Sequence, residues 1–304
     1  MPESFCKRMA RSCFRWYLRS FPVRDGKARL YQAWQAALLP AERFQITLIA
    51  PGFRLSCDLL DPEQRKIYFY QEYHERYEAR LIQTVLRPGD SFWDVGANIG
   101  YFALLAATVV GATGCVVAFE PGQQAFQRFQ ENITLNHFDQ ITAVPLAASD
   151  RQGTSRLYRR PDQADTGANL FQGGERHQWE EISTISLDAF FKQHSYPPPQ
   201  FLKIDVEGAE LAVLQGAAAI LTDHTPLLLL EMEEKTLGPA GLSKQDIVDF
   251  LRPWGYQGAY LHKGHWHRVS DINQAKGRNI FWFREDILWH QRPLRTLGVV
   301  APAR

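Results

Sequence analysis

The chain has 304 residues, enough for one large α/β domain with extensions. A hydrophobic share of 45% with 22% charged residues is that of a globular protein and excludes a disordered or fibrous chain. The formal net charge of +1 supplies no global field to attract nucleic acid, so no nucleic-acid partner is expected.

The N-terminus is basic. Arg11, Arg15 and Arg19 recur at i, i+4 and i+8 and share one face of a helix, with Phe14, Tyr17, Leu18 and Phe21 elsewhere around it. Two readings stand: peripheral contact with an anionic membrane, and a helix packed on its own domain. The second is adopted. No apolar run approaches the roughly 20 residues of a membrane span, and a secretory signal's apolar core is missing. Cys6, Cys13, Cys57 and Cys115 are scattered without a CxxC pair, as in a reduced protein, and a cytoplasmic location is expected. Further on, residues 30–39 read as a helix, 44–49 and 53–59 as strands, and 67–86 as one amphipathic helix. Pro88-Gly89-Asp90 breaks the chain, so residues 1–88 are taken as an N-terminal extension.

From residue 89 to 285 strands and helices alternate as in a βαβ series, which predicts a mostly parallel sheet with right-handed crossovers. Strands are expected at 91–95, 115–119, 141–148, 201–206 and 227–232, then an antiparallel pair at 256–262 and 279–284. Helices are expected at 99–110, 123–136, from 186 to before Pro197, at 210–221 and from Ser243 to about 253. A polar insertion at 162–181 reads as a loop or hairpin over the sheet edge, with Phe171 and Trp179 as candidates for stacking on a sugar ring. His262, His265 and His267 read as a solvated loop, and no metal site is expected anywhere. Residues 286–304 read as a loosely attached tail.

The most informative stretch runs from Phe92 to Tyr101. A strand ends in Asp94, and a turn holding Gly96, Asn98 and Gly100 leads into a helix. That is where open α/β sheets bind ligands. The spacing is not the GxGxxG of a dinucleotide site. Asp94 suits the cationic end of S-adenosylmethionine, which has no phosphate, and Asn98 suits its carboxylate. Twenty residues after Gly100, Glu120 stands at the end of the second strand, where an acidic group accepts from ribose hydroxyls. Ala148, Ser149 and Asp150, beyond the third strand, are candidates for the adenine edge.

Asp94-Val-Gly-Ala-Asn-Ile-Gly100, Phe119-Glu-Pro121 and Lys203-Ile-Asp-Val-Glu-Gly-Ala-Glu210 together resemble the FkbM family of class I methyltransferases, over roughly Glu72 to Tyr256. The resemblance implies a Rossmann-like class I methyltransferase fold: a mostly parallel seven-stranded sheet with a C-terminal antiparallel strand, behind the N-terminal extension. It also implies S-adenosylmethionine as cofactor and O-methylation of a sugar or other small natural-product-like acceptor.

Catalysis then asks for a group near the acceptor hydroxyl that can take its proton. Asp205 at the carboxyl end of the fourth strand, Glu207 two residues on and on the same face if the strand persists, and Glu231 at the end of the fifth are the candidates. Binding of cofactor or substrate hydroxyls without proton transfer is the competing role for each. Glu210, opening the next helix, reads as a cap. Two other functions stay open: methylation of a protein or nucleic acid, and a nicotinamide-dependent oxidoreductase on a similar sheet. Oligomeric state is left open.

Overall fold

The computed structural model describes residues 4–21, 26–50, 52–159 and 178–299. The chain divides into two units, Met1–Arg76 and Tyr77–Arg304.

The first unit holds helices α1 (Phe5–Ser20) and α2 (Lys27–Trp34), strands β1 (Phe44–Ile49) and β2 (Phe53–Asp58), and helix α3 (Pro62–Tyr70). The strands form an antiparallel hairpin whose inner face buries Ile49, Phe53, Leu55 and Cys57. On α1 the arginine face is the packing face. Arg11 donates to the Leu38 carbonyl at 3.3 Å, and Arg19 to Gln71 Oε1 at 3.0 Å. Arg15 donates to Thr47 Oγ1 at 2.6 Å and lies 4.0 Å over the Tyr68 ring. Phe14 meets Phe69 edge-on. The single helix expected over 67–86 is two. Gln71 takes a left-handed conformation (φ 56°), which ends α3, and the chain restarts as α4 (Arg76–Val85).

α4 belongs to the second unit, where Leu81, Ile82 and Val85 are buried and Glu78 accepts from Asn279 at 3.0 Å. The division therefore falls ahead of the expected break at residue 88. The unit continues with β3 (Ser91–Val95), α5 (Tyr101–Val110), β4 (Cys115–Phe119), α6 (Gln123–Asn136), β5 (Ile141–Val144), β6 (Ala147–Ala148), β7 (Gly153–Arg159), β8 (Gln178–Ile185) and α7 (Leu187–Gln193). Then come β9 (Phe201–Ile204), α8 (Glu210–Gln215), α9 (Ala218–Asp223), β10 (Leu227–Glu231), α10 (Glu234–Leu237), α11 (Lys244–Leu251), β11 (Gln257–His262), β12 (His265–Arg268), β13 (Asn279–Phe283) and α12 (Leu288–Thr296).

Eight strands make the main sheet, in the order β12-β11-β13-β10-β9-β3-β4-β5. The run from β10 to β5 is parallel, and β13 pairs antiparallel to β10 and to β11. This is the Rossmann-like α/β arrangement expected, with β12 as an additional edge strand. His262, His265 and His267 thus lie on the β11–β12 hairpin, not in an irregular loop. Among the described residues no cluster of His, Cys, Asp and Glu could hold a metal.

Both sheet faces are covered, as a parallel sheet requires. Alternation along β3 sends Phe92 to one face, against Phe201, and Trp93 to the other, against Phe119 and Phe190.

The second unit departs from the expected elements in four further places. Pro145 breaks the third strand, so Ala147 and Ala148 join a separate sheet, β6-β8-β7. There β7 and β8 are the two arms of a hairpin. Of the expected insertion, Gln178–Glu181 lies in β8, while 162–177, with Phe171, lies outside the described residues. The helix expected at 210–221 breaks at Gly216, where a Cβ would overlap the Ser149 carbonyl. Residues beyond 285 are packed: α12 buries His290 and Leu294 completely.

His290 shows how α12 is fixed. Its Nδ1 accepts from the Arg284 amide at 3.0 Å and its Nε2 donates to the Thr225 carbonyl at 2.8 Å. Burial drives its pKa from 6.5 down to about 4. The unfolded chain therefore takes up this proton first as pH falls. The contribution is whole above about pH 6.5 and is lost on the way to about pH 4, a change of roughly 3 kcal/mol. In urea titrations at neutral and acid pH, His290→Gln should start less stable and lose less on acidification. An unaltered pH slope would refute the role.

Candidate active site

From the middle of the sheet the chain winds outward both ways, β3 to β4 to β5 on one side and β9 to β10 on the other. The loops after β3 and β9 leave in opposite directions, which opens a cleft at their carboxyl ends. Four adjacent strands carry a carboxylate at that rim: Glu231 ends β10, Asp205 follows β9, Asp94 is the fourth residue of β3, and Glu120 follows β4.

Lys203, 3% exposed in the middle of the sheet, sits among them. Its ammonium is 3.0 Å from Asp205 Oδ2, 3.8 Å from Asp94 Oδ1 and 4.9 Å from the Phe102 ring centre. Asp94 is 1% exposed and neither of its oxygens has a hydrogen bond of normal length. Burial pushes its pKa up to about 6 against the pull of Lys203. Burial acts on Asp205 too, but Lys203, Glu231 and Arg278 outweigh it and hold this carboxyl below the usual range.

The other acids behave differently. Glu231 is pushed up by burial and by the charges of Asp205 and Glu207. One of its oxygens accepts from Arg278 Nε at 3.0 Å and the other, buried, has no hydrogen-bond partner. Arg278 also pairs with Glu233 at 2.7 Å. Glu207 was expected to share a strand face with Asp205. The strand ends at Ile204, however, and Glu207 is in the left-handed region at φ 52°. It remains close enough for burial and the charge of Asp205 to raise its pKa. Glu210 is wholly buried and accepts from the Val206 and Gly208 amides at 3.2 and 3.1 Å. It braces this turn, although burial still lifts its pKa to about 7.

The loop after β3 is fixed by the chain itself. The amides of Gly96 and Ala97 both donate to the Phe119 carbonyl at 3.0 Å. A Cβ on Gly96 (φ +84°) would overlap the Asp205 carbonyl oxygen, and one on Gly100 (φ +89°) would enter the Phe129 ring. Both glycines are thus demanded by packing. Asn132, from α6, donates to the Ile99 carbonyl at 3.0 Å and ties that helix to the loop. Asn98, at φ +51°, donates its amide to Glu120 Oε2 at 2.8 Å, and Gly122 donates to Oε1 at 2.8 Å. Glu120 is thereby clamped at both oxygens. The buried Asn98 Oδ1 has no hydrogen-bond partner.

The structure thus brings Asp94, Gly96, Asn98, Gly100, Glu120, Asp205, Glu207 and Glu231 to one rim. Ala148, Ser149 and Asp150 stand apart in their bonding. The Ser149 amide already donates to the Ile185 carbonyl at 2.9 Å, so it is not open to a ring edge as expected. Ala148 is buried, and Asp150 pairs with Arg151 at 3.1 Å. Trp179 stacks under Arg156, whose guanidinium is 4.4 Å from its ring.

The family description "Methyltransferase FkbM domain" matches residues 94–257. The chain belongs to this family. Among its relatives is the hexuronic acid methyltransferase AglP of Haloferax volcanii, 30% identical over 179 residues, which are 58% of this chain and 67% of that protein. The 31-O-demethyl-FK506 methyltransferase FkbM of Streptomyces tacrolimicus is 30% identical over 160 residues, 43% of this chain and 60% of the relative. A crystal structure of methyltransferase FkbM from Methylobacillus flagellatus is 19% identical with a TM-score of 0.41, covering 73% of this chain and 54% of that one. The chain thus spans about two thirds of the Haloferax volcanii relative and less of the other two.

Lys203, Arg278 and Asn132 are the site residues that sequence reasoning missed. Lys203 had a signal, a charge inside an otherwise apolar strand. Arg278 had none, because it lies 47 residues from Glu231.

If Lys203 is the counter-ion of both carboxylates, Lys203→Met leaves two buried acids uncompensated. Urea denaturation at neutral pH should show a loss of about 3 kcal/mol or more. Adding Asp94→Asn should recover part of it. An additive double variant would argue that the ammonium does not serve Asp94.

Proposed function

We propose that this protein is an S-adenosylmethionine-dependent O-methyltransferase acting on a hydroxyl of a sugar or other small natural-product-like acceptor. The observation that carries the reading is the row of carboxylates on four adjacent strand ends, with Glu120 clamped by two amides beside a buried Asp94 that lacks a hydrogen bond. Family membership sets the oxidoreductase alternative aside. The hexuronic acid and the 31-O-demethyl-FK506 named for AglP and FkbM support the acceptor class.

The residues present fit this cofactor. Glu120 is oriented to accept from the two ribose hydroxyls, since its backbone donors fix the plane of the carboxylate. Asp94 would hold the ammonium of the amino acid end, a cation that restores the balance burial has disturbed. Asn98 has an unused buried oxygen in the same loop. With its amide committed to Ile185, Ser149 would meet the adenine edge through its hydroxyl. When bound, S-adenosylmethionine supplies a methyl group already activated by its sulfonium.

What this chain must then do is align the acceptor oxygen, exclude water and receive a proton. Asp205, held ionised by Lys203, is suited to accept a hydrogen bond from the acceptor hydroxyl. Glu207 is the more basic of the two neighbours, because burial and the charge of Asp205 raise it, and it is the better proton acceptor. Glu231, pushed up and anchored by Arg278, keeps its proton near neutrality and is a donor more than a base. Cys6, Cys13, Cys57 and Cys115 form no disulfide with one another, which suits a reducing, cytoplasmic setting. No helix among the described residues is long and apolar enough to cross a membrane.

Enzyme, isotopically methyl-labelled cofactor and fractionated small-molecule extracts, analysed by mass spectrometry, should yield a labelled glycoside or polyol-like product. Label found only in protein or nucleic acid would overturn the acceptor class. With that acceptor, Asp205→Asn and Glu207→Gln should each lower kcat by roughly a hundredfold. Cofactor affinity should move little; a wild-type rate in both would remove their roles.

Calorimetry with S-adenosylhomocysteine tests the cofactor side. Glu120→Ala should weaken binding about tenfold or more through loss of the ribose acceptors. Wild-type affinity should fall as pH drops through about 6, where Asp94 takes up a proton and can no longer balance the ligand's ammonium. Asp94→Asn should bind weakly and without that dependence.

A further inference from the structure

The face of α1 that carries Arg11, Arg15 and Arg19 is turned onto its own unit. Outward the helix presents an apolar stripe. Phe5, Met9 and Trp16 are 67%, 54% and 64% exposed. At 100° per residue these three fall within about 40° of one another and form a stripe about 16 Å long. Arg8 and Arg19, both exposed, follow one shoulder of the stripe, and Cys6 and Cys13, also exposed, follow the other. This is the reverse of a helix that meets water on its outer side.

Charge singles out what covers the stripe. Residues 1–76 carry 13 Lys and Arg against 8 Asp and Glu, a formal +5, whereas residues 77–304 carry 21 against 25. The near-zero charge of the whole chain hides this division.

We infer that α1 docks the protein on an anionic lipid surface, lying in the plane of the interface. Phe5, Met9 and Trp16 enter the boundary between headgroups and acyl chains, and Arg8 sits among the lipid phosphates. A second copy of the chain fits less well. Three side chains offer far less than the roughly 800 Å² per partner of a stable interface. Bringing the unit against itself would also set one positive surface on another. Three shallow anchors and a modest charge give reversible, salt-sensitive attachment, not permanent anchoring. The inference is independent of the methyl-transfer reading and its test requires no activity.

The full chain is sedimented with vesicles of phosphatidylcholine alone and with vesicles that also contain phosphatidylglycerol, at low and high salt. Binding to the anionic vesicles, weakened by salt and at least about tenfold weaker for the Phe5→Ser, Met9→Ser, Trp16→Ser triple variant, is the expected result. These side chains are exposed, so the triple variant should melt with the wild type, which separates lost docking from lost folding. A fluorophore on Cys13, in a chain carrying Cys6→Ser, should shift to shorter wavelength on the same vesicles. The inference is overturned if the wild type stays in the supernatant, if the triple variant binds equally, or if neutral vesicles bind as well as anionic ones. It is equally overturned if sedimentation velocity without lipid finds a dimer that the triple variant dissolves.

Discussion

The site depends on one buried ammonium. Lys203 occupies the middle of an apolar strand, where an unpaired charge would be very costly, and only the carboxylates at the strand ends make it tolerable. Its charge serves more than one acid. At 3.0 Å it holds Asp205 ionised, while at 3.8 Å it leaves Asp94 partly uncompensated. Arg278 is the second cation, and it is committed to Glu231 and Glu233. Asp94, Glu120, Asp205, Glu207, Glu231 and Glu233 thus outnumber Lys203, Arg278 and Lys235 across this rim, and burial together with that excess raises the pKa values of Asp94, Glu207 and Glu231. Such a rim is predisposed toward a cationic ligand.

The same crowding explains the glycines. Strands β3 and β9 are neighbours, so their emerging chains nearly touch, and Gly96 is the point where a side chain would strike the Asp205 carbonyl. Gly100 leaves room for Phe129, through which α6 buttresses the loop. The loop is thus held from β9 and from α6 before any ligand arrives. A preorganised loop does not have to be ordered at the expense of binding energy. Glu120 gains from this directly: its clamp comes from the Asn98 amide within that loop.

Much of this was legible in the sequence because parallel strands advertise themselves. Apolar runs such as Leu227–Leu230 mark strands buried on both faces, and an acid just past each run marks the rim. What stayed hidden depended on pairing across distance or on single backbone angles. Pro145 and Gly216 divided elements that periodicity had joined, and Gln71 did the same by entering the left-handed region, which side-chain pattern does not announce. Glu207 was placed by counting along a strand that had already ended at Ile204. Hydrogen bonds spoken for elsewhere were equally invisible: the Ser149 amide looked open until its Ile185 partner appeared. Helix α12 gave no amphipathic signal strong enough to distinguish it from a tail, since its anchor is one buried histidine.

Helix α1 shows why residue type alone misjudges which side of a helix meets solvent. An arginine has a long apolar stem and a flat guanidinium, so it can pack on Tyr68 and still find Thr47 as acceptor, as Arg15 does. Three arginines on one face therefore do not by themselves mark it as the water face, and here each donates a hydrogen bond within the unit. Phe5, Met9 and Trp16 have no comparable compensation on the outside. Covering them would take about half a turn of the helix, because buried Leu18 lies on the opposite side, and that turn would break the arginine contacts. The orientation is thus set by the polar face, and the exposed stripe is its consequence. An exposed aromatic stripe beside surplus positive charge is a stable arrangement where the surroundings supply both hydrocarbon and phosphate, and a lipid surface supplies both.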